Sequence, residues 1–103
     1  MSWQLEFRPE VSNDIVEAAE WYESREPGLG RDFVNEIMKV WDAIAVFPMI
    51  GSRRHPARNI RWRYPQRFPY RVVYLVDDQQ DIVLVIAVLH AARHDSRWRY
   101  RIQ

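Results

Sequence analysis

The sequence has no cysteine, a single lysine and no long apolar run. Without thiols the chain can form neither disulfides nor zinc–thiolate sites, and we expect a reducing compartment, the cytoplasm, as its location. The longest apolar run, residues 82–89, is far shorter than the roughly 20 residues of a membrane-spanning helix. The N-terminus has no basic leader followed by an apolar stretch, so we expect no signal peptide.

The length and composition predict one globular domain that spans residues 1–103. Apolar residues make up 48% of the chain and charged residues 28%, which is typical of folded rather than disordered proteins. A chain of 103 residues has room for one hydrophobic core and no second domain.

The charge is divided between the two halves of the chain, although the net charge is only +1. Residues 1–50 hold four basic and ten acidic side chains, a net charge of −6, and residues 51–103 hold eleven basic and four acidic ones, a net charge of +7. Fourteen of the fifteen basic residues are arginine, the side chain best suited to forked contacts with phosphate or carboxylate. Either this preference serves such contacts, or it reflects codon usage in a GC-rich genome.

Hydrophobic periodicity predicts a strand and two helices in the acidic half. Trp3, Leu5 and Phe7 alternate with polar residues, as in a half-buried strand. Residues 11–25 then follow an amphipathic helical pattern, whose acidic face we expect to point outward. The side chains on that face are Asp14, Glu17 and Glu20 or Glu23. A second helix opens near Gly30 and ends at Pro48. Its apolar stripe comprises Phe33, Ile37, Val40, Trp41, Ile44 and Phe47.

The pattern changes to a period of two in the basic half. Ile60, Trp62 and Tyr64 alternate with Arg61 and Arg63, and residues 70–76 alternate in the same way. The run 82–89 is apolar on both faces, which is typical of a central strand covered on both sides. The order β-α-α-β-β-β predicts an α+β fold in which a helical hairpin packs on one face of a mostly antiparallel sheet.

This order of elements, together with specific residues, resembles the RelE/ParE toxin superfamily over almost the whole chain. Trp21-Tyr22 ends the first helix, Phe33 opens the second, and a break follows at residues 48–51. The segment 68–74, FPYRVVY, is similar to the third-strand motif of the family. The matching residues of the C-terminal part are His90, Arg93, Trp98 and Arg101.

The resemblance implies a toxin that is neutralised by a small antitoxin, usually encoded beside it, and two alternatives for its target. ParE-like members bind and poison DNA gyrase, whereas RelE-like members are endoribonucleases that cut messenger RNA in the ribosome. Four features favour the ParE-like alternative: the helical hairpin, the break at 48–51, the residues of the tail and Ala91. Ala91 stands where a ribonuclease has a basic residue. A non-toxic binding module on the same scaffold is a third possibility.

Three arginines are candidates for holding a phosphate, a role that the resemblance implies for Arg71 in the third-strand motif. Strand alternation places Arg61 and Arg63 on one face, and we expect the neighbouring strand to bring Arg71 beside them. In a ribonuclease such groups would stabilise the charge that develops on phosphorus. Alternatively, they form a solvated sheet face that meets the acidic half of the chain or the antitoxin.

Proton transfer in a ribonuclease would need a different residue, because arginine stays protonated. His90, at the end of the apolar strand, and His94 and Tyr100, in the tail, are the candidates. A histidine at a strand end can equally well serve as a hydrogen-bonding residue.

The tail alternates cations with aromatic side chains at Arg97, Trp98, Arg99, Tyr100 and Arg101. That pattern fits nucleic-acid or target contact by Arg93, Arg97, Trp98 and Arg101. Alternatively, Trp98 packs back onto the sheet and anchors the tail.

The remaining candidates lie in the loop at residues 53–55, which reads as a mobile basic loop or a contact to nucleic acid. The three histidines, His55, His90 and His94, show no metal-ligand spacing, so we expect neither a metal nor another cofactor.

Overall fold

The computed structural model describes residues 3–53, 55, 57–93 and 95–102. In chain order the elements are β1 (Gln4–Phe7), α1 (Glu10–Arg25), α2 (Leu29–Val46), a 3-10 turn (Pro48–Ile50), β2 (Ser52–Arg53), β3 (Ile60–Arg63), β4 (Tyr70–Asp77), β5 (Ile82–His90), α3 (Ser96–Arg99) and a second 3-10 turn (Tyr100–Ile102). In these ranges no helix combines the length and the hydropathy that crossing a membrane requires.

The five strands form one sheet in the order β1-β5-β4-β3-β2. β1 pairs with β5 in parallel and the other neighbours are antiparallel, so the predicted α+β fold with a mostly antiparallel sheet is confirmed. β4 rather than β5 is the middle strand, because the two-residue strand β2, which the sequence did not predict, extends the sheet beyond β3. β5 is nevertheless apolar on both faces, as predicted.

The helices cover one face of the sheet and bury most of the predicted apolar stripe. Phe33, Ile37 and Ile44 of α2 are fully buried against β4 and β5, which removes their side chains from water and stabilises the helical hairpin. Phe47, the last residue of the predicted stripe, is instead 61% exposed. Pro48 cannot continue the helix, and Phe47 leaves the helical conformation with φ −135° and ψ 73°.

The connection between α1 and α2 is held by Glu23. Its carboxylate accepts hydrogen bonds of 3.0 to 3.1 Å from the N–H groups of Gly28 and Gly30, donors that an α-helix leaves unpaired at its N-terminus. Gly28 takes φ +88°, the left-handed region that glycine enters without strain. Glu23, one of the side chains expected to point only into solvent, therefore caps the second helix.

The tail covers the opposite face of the sheet and creates a second apolar cluster. Ile60, Val73, Ile86 and Ala87 are fully buried there against Trp98 of α3. Since both faces of β4 and β5 are covered, the sheet is the middle layer of three.

The outer edge of β5 is capped where β1 ends. The pairing of β4 with β5 shifts register between Val73 and Tyr74 and leaves Ile86 as the extra residue of a β-bulge. At the bulge Arg101 donates to the carbonyl of Ile86 at 3.0 Å, and beyond it Asp14 accepts a hydrogen bond from the N–H of Val88 at 3.0 Å. Asp14, which we expected to point outward from α1, is thus buried beneath the tail, because its carboxylate serves an open sheet edge.

Candidate functional site

Arg71 lies on the opposite face of the sheet from Arg61 and Arg63. In the register of β3 and β4, Arg61 faces Tyr74 and Arg63 faces Val72, and both partners point toward the helices. Arg71 points the other way, and its guanidinium lies 3.9 Å from the centroid of the Trp62 ring. The expectation that the three arginines share one phosphate-holding face is therefore wrong.

The Arg71 guanidinium is buried and binds Arg93 and Asp95, which precede α3. Its Nη2 donates to the backbone carbonyl of Arg93 at 2.5 Å and contacts Asp95 Oδ1 at 3.3 Å. The side chain is only 5% exposed. Contacts to charged groups inside the protein are strong and costly to break, so Arg71 positions the start of the tail.

Arg61 also binds the chain itself, whereas Arg63 does so through no hydrogen bond found among the described residues. Arg61 Nη1 donates to the carbonyls of Met49 and Gly51 at 2.7 and 2.8 Å, and its Nε donates to Asn59 Oδ1 at 2.8 Å. Arg61 therefore holds the turn that follows α2. The Nη1 of Arg63 is buried and has no hydrogen-bond partner within the described part of the chain.

Trp98 and Arg101 anchor the tail, so neither side chain is open to a ligand. Trp98 is fully buried in the second apolar cluster, which confirms the alternative that it packs back onto the sheet. Arg101 forms two hydrogen bonds with the carboxylate of Asp14, at 2.7 and 3.0 Å, and this ion pair raises the pKa of Arg101. Direct contact of Trp98 or Arg101 with nucleic acid or a target does not agree with their burial.

The other candidates in the tail gather along a groove of about 820 Å³ between α1 and the C-terminal residues, which we call the tail groove. One wall is α1, with Glu17, Trp21 and Tyr22, and Tyr70 from the start of β4 also lines it. The other wall consists of His90, Arg93, Arg97 and Tyr100. Arg93, Arg97 and Tyr100 are exposed and His90 is half-buried, so this wall is open to a partner.

Two tyrosines, Tyr22 and Tyr70, line the tail groove between Glu17 on one wall and Arg93 and Arg97 on the other. Burial raises the pKa of the Tyr70 hydroxyl, and Tyr22 and Glu17 raise it further. Arg93 lowers this pKa, but by less than burial raises it. Burial also raises the pKa of Tyr22. Both hydroxyls therefore stay protonated at neutral pH and can donate hydrogen bonds to a bound group.

The two described histidines bind backbone N–H groups. His90 Nδ1 accepts from the N–H of Ala92 at 3.0 Å, and its ring packs edge-on against Tyr70. His55 Nδ1 accepts from the N–H groups of Ala57 and Arg58 at 3.1 and 3.0 Å. Both imidazoles thus order a turn through Nδ1 and leave Nε2 for other contacts. His94 and Arg54 lie outside the described residues, and within those that are described no group of three metal-ligating side chains is found.

The sequence did not reveal that α1 forms half of the tail groove. The acidic residues of this helix have the spacing of a solvated face, and nothing local distinguishes Asp14, whose side chain is 8% exposed, from the exposed Glu20. The adjacent aromatic residues Trp21 and Tyr22, which were noted only as a family feature, were the available signal. Tyr22 stacks on Phe33 and packs against Phe68, whereas Trp21 is 52% exposed at the groove.

Comparison with solved structures shows that the fold is shared with toxins of toxin–antitoxin systems. The structure is similar to a chromosomal ParDE toxin–antitoxin system from P. aeruginosa, with a TM-score of 0.72 at 13% identity over 86% of this chain and 96% of the other. For the toxin–antitoxin complex RelBE2 from Mycobacterium tuberculosis the TM-score is 0.61 at 17% identity, over 87% and 99% of the two chains. A mutant of the E. coli toxin RelE in the free state gives a TM-score of 0.62 at 20% identity, over 100% of both chains.

The sequence comparisons give a more specific result. No curated protein matches the chain. The sequence model of the family described as the ParE toxin of the type II toxin–antitoxin system, parDE, matches residues 5–95. This match covers α1, α2, β2 to β5 and all of β1 except Gln4, so the chain belongs to the ParE toxin family, within the RelE/ParE superfamily of type II toxin–antitoxin systems.

Proposed function

We propose that this toxin arrests bacterial growth by binding DNA gyrase and that a cognate antitoxin neutralises it. The observation that supports a protein target most directly is the burial of Arg71. An endoribonuclease of the RelE type would need this guanidinium at the scissile phosphate. Here it is 5% exposed and bound to Arg93 and Asp95.

The surroundings of Arg71 argue in the same direction. Arg61 and Arg63 are on the other face of the sheet, and position 91 is alanine. Trp98, which could have stacked on a base, is fully buried. Arg61 and Arg63 therefore do not share a phosphate site with Arg71.

The tail groove is the proposed contact surface for gyrase. Arg93, Arg97 and Tyr100 face Glu17 across it. The groove thus carries charges of both signs, and a folded protein can offer charges of both signs in return. The exposed aromatic and arginine side chains in the groove are of the types that contribute most to protein interfaces.

The proposed partner in the cell is an antitoxin encoded beside the toxin gene. The similar structures from P. aeruginosa and M. tuberculosis are toxin–antitoxin systems. A short neighbouring reading frame with a DNA-binding start and an amphipathic tail would encode this partner.

Two assays with the purified protein test the proposed target. The wild-type toxin should inhibit DNA supercoiling by gyrase while cell-free translation continues. Arg97→Glu should raise the concentration needed for half-inhibition about tenfold, the effect of losing roughly 1.4 kcal/mol of binding. Arg31→Glu, an equal charge change at an exposed site on α2, should leave that concentration unchanged.

The same assays separate the alternatives. Arrest of translation by the wild-type chain, with ribosome-dependent cuts in the message, would establish the RelE-like endoribonuclease and contradict gyrase as the target. Harmless over-expression of the wild-type chain in bacteria would indicate a non-toxic binding module.

A further inference from the structure

Four large apolar side chains are exposed next to one another where α2 ends. Val46, Phe47, Met49 and Ile50, which we call the turn patch, are 51%, 61%, 40% and 67% exposed. Single exposed apolar residues are common, but a contiguous group of them marks an interaction surface. The turn patch includes no residue that lines the tail groove.

The backbone beneath the turn patch is held rigidly by buried groups. The hydroxyl of Tyr74, a fully buried side chain, donates to the carbonyl of Pro48 at 2.7 Å, and Arg61 holds the carbonyls of Met49 and Gly51. A Cβ at Gly51 would overlap the Tyr74 hydroxyl, so only glycine allows this close approach. The side chains of the turn patch are therefore presented to solvent on a fixed support, which lowers the entropy cost of binding.

The charge of the chain that follows α2 indicates what kind of partner fits. Residues 46–63 contain five arginines and no acidic residue. Arg53 and Arg58 of this segment are exposed. Two copies of the turn patch facing each other would bring like charges together, which disfavours a symmetric dimer of this chain through the patch. A segment with apolar residues bordered by aspartate or glutamate would complement both the apolar side chains and the charge.

We propose that the turn patch docks an amphipathic, acid-bordered segment of the antitoxin, with Phe47 and Ile50 as the apolar anchors. This inference rests on the antitoxin partner of the proposed function and adds the surface that receives it. Arg53, which follows the turn in β2, supplies the positive charge at the border.

The affinity of the toxin for the protein encoded by the adjacent gene tests the inference. The double variant Phe47→Ser/Ile50→Ser should weaken binding, measured by titration calorimetry, by about 10- to 100-fold, as expected when anchor side chains are removed. The matched control is Val16→Ser/Met38→Ser, which removes two apolar side chains that are each 50% exposed on the helices and should change the affinity less than about threefold. Circular dichroism and thermal unfolding verify that both variants are folded.

A charge reversal tests the border of the turn patch. Arg53→Glu should weaken binding to the same protein and reduce the dependence of the dissociation constant on salt, because a screened attraction becomes a repulsion. Arg31→Glu, an exposed arginine outside residues 46–63, should change neither quantity.

Three results would overturn the inference, and they differ in what else they affect. Equal affinity of the wild type and Phe47→Ser/Ile50→Ser would contradict the turn patch alone. Failure of the wild-type toxin to bind the adjacent gene product would contradict both the turn patch and the proposed antitoxin partner. It would not affect the proposed gyrase target, which is tested by the supercoiling assay. A free toxin that sediments as a dimer, and as a monomer after Phe47→Ser/Ile50→Ser, would assign the turn patch to a second copy of this chain.

Discussion

Arginine side chains with similar sequence contexts have different roles in this molecule. Arg71 and Arg101 are buried and bind the chain's own carbonyls and carboxylates. Arg93 and Arg97 are exposed along the tail groove. Burial of a guanidinium is favourable only where acceptors compensate for the lost water, so the acceptors around each arginine decide its role.

Removal of one partner of the ion pair between Arg101 and Asp14 should strongly destabilise the protein. The two side chains are 7% and 8% exposed, and Arg101→Met would leave the Asp14 carboxylate buried without its cation. We expect a loss of about 3 to 5 kcal/mol in the free energy of unfolding, measured by urea denaturation. Arg99→Ala removes a more exposed ion pair with Asp95 and should cost less than about 1 kcal/mol. Equal losses in the two variants would contradict the role of Arg101 as an anchor.

The ends of the secondary-structure elements depend on side chains from distant elements. The edge of β5 is capped by Asp14 of α1 and by Arg101 of the tail, and the start of α2 is capped by Glu23 of α1. Both devices satisfy backbone groups that would otherwise lack partners, and the cap on β5 also blocks an edge that could pair with another chain. α1 therefore connects the sheet edge, the second helix and the tail groove.

The Glu23 cap predicts a pH dependence of stability. The N–H groups of Gly28 and Gly30 lower the pKa of Glu23 below its ordinary value of 4.5. Because the pKa is lower in the folded state, the charged carboxylate stabilises the protein above the ordinary pKa. That contribution is lost as the pH falls through the lowered pKa. The urea midpoint of the wild type should therefore decrease more between pH 7 and pH 3 than that of Glu23→Gln. A larger decrease in Glu23→Gln would contradict the cap.

The molecule as a whole has three layers, in which the sheet lies between the helices and the tail. The acidic helices lie on one face and the basic tail on the other. The charge asymmetry of the sequence thus becomes an asymmetry of the tail groove, where Glu17 of the helix faces Arg93 and Arg97. The turn patch is a second, apolar surface that lies outside the tail groove.

Trp98 is the side chain through which the tail should contribute most to stability. Trp98→Ala would open a cavity among Ile60, Val73 and Ile86. The expected cost is about 3 to 5 kcal/mol in the free energy of unfolding. Proteolysis of the tail should become faster in the same variant. Tyr64→Ala, which truncates an aromatic side chain that is 51% exposed, serves as the control and should change the stability by less than about 0.5 kcal/mol. A similar effect of both variants would show that Trp98 does not anchor the tail.

The sequence by itself determined the local structure and the family. The helical stripe at Phe33, Ile37 and Ile44, the alternation in β3 and β4, and the segment 68–74 follow from periodicities that each element carries within itself. Residues that alternate along one strand lie on defined faces relative to each other. The order of the elements and the similarity to the RelE/ParE superfamily could therefore be read before any contact was known.

Only the tertiary structure decided which of these faces meet. Whether Arg71 shares a face with Arg61 depends on the register of β4 against β3, and a shift of one residue exchanges the two faces of a strand. Likewise, Asp14 and Glu20 have the same sequence pattern, and only the position of the tail over α1 buries one of them. Local periodicity fixes positions within an element, whereas register and packing, which depend on distant residues, fixed the tail groove and the burial of Arg71.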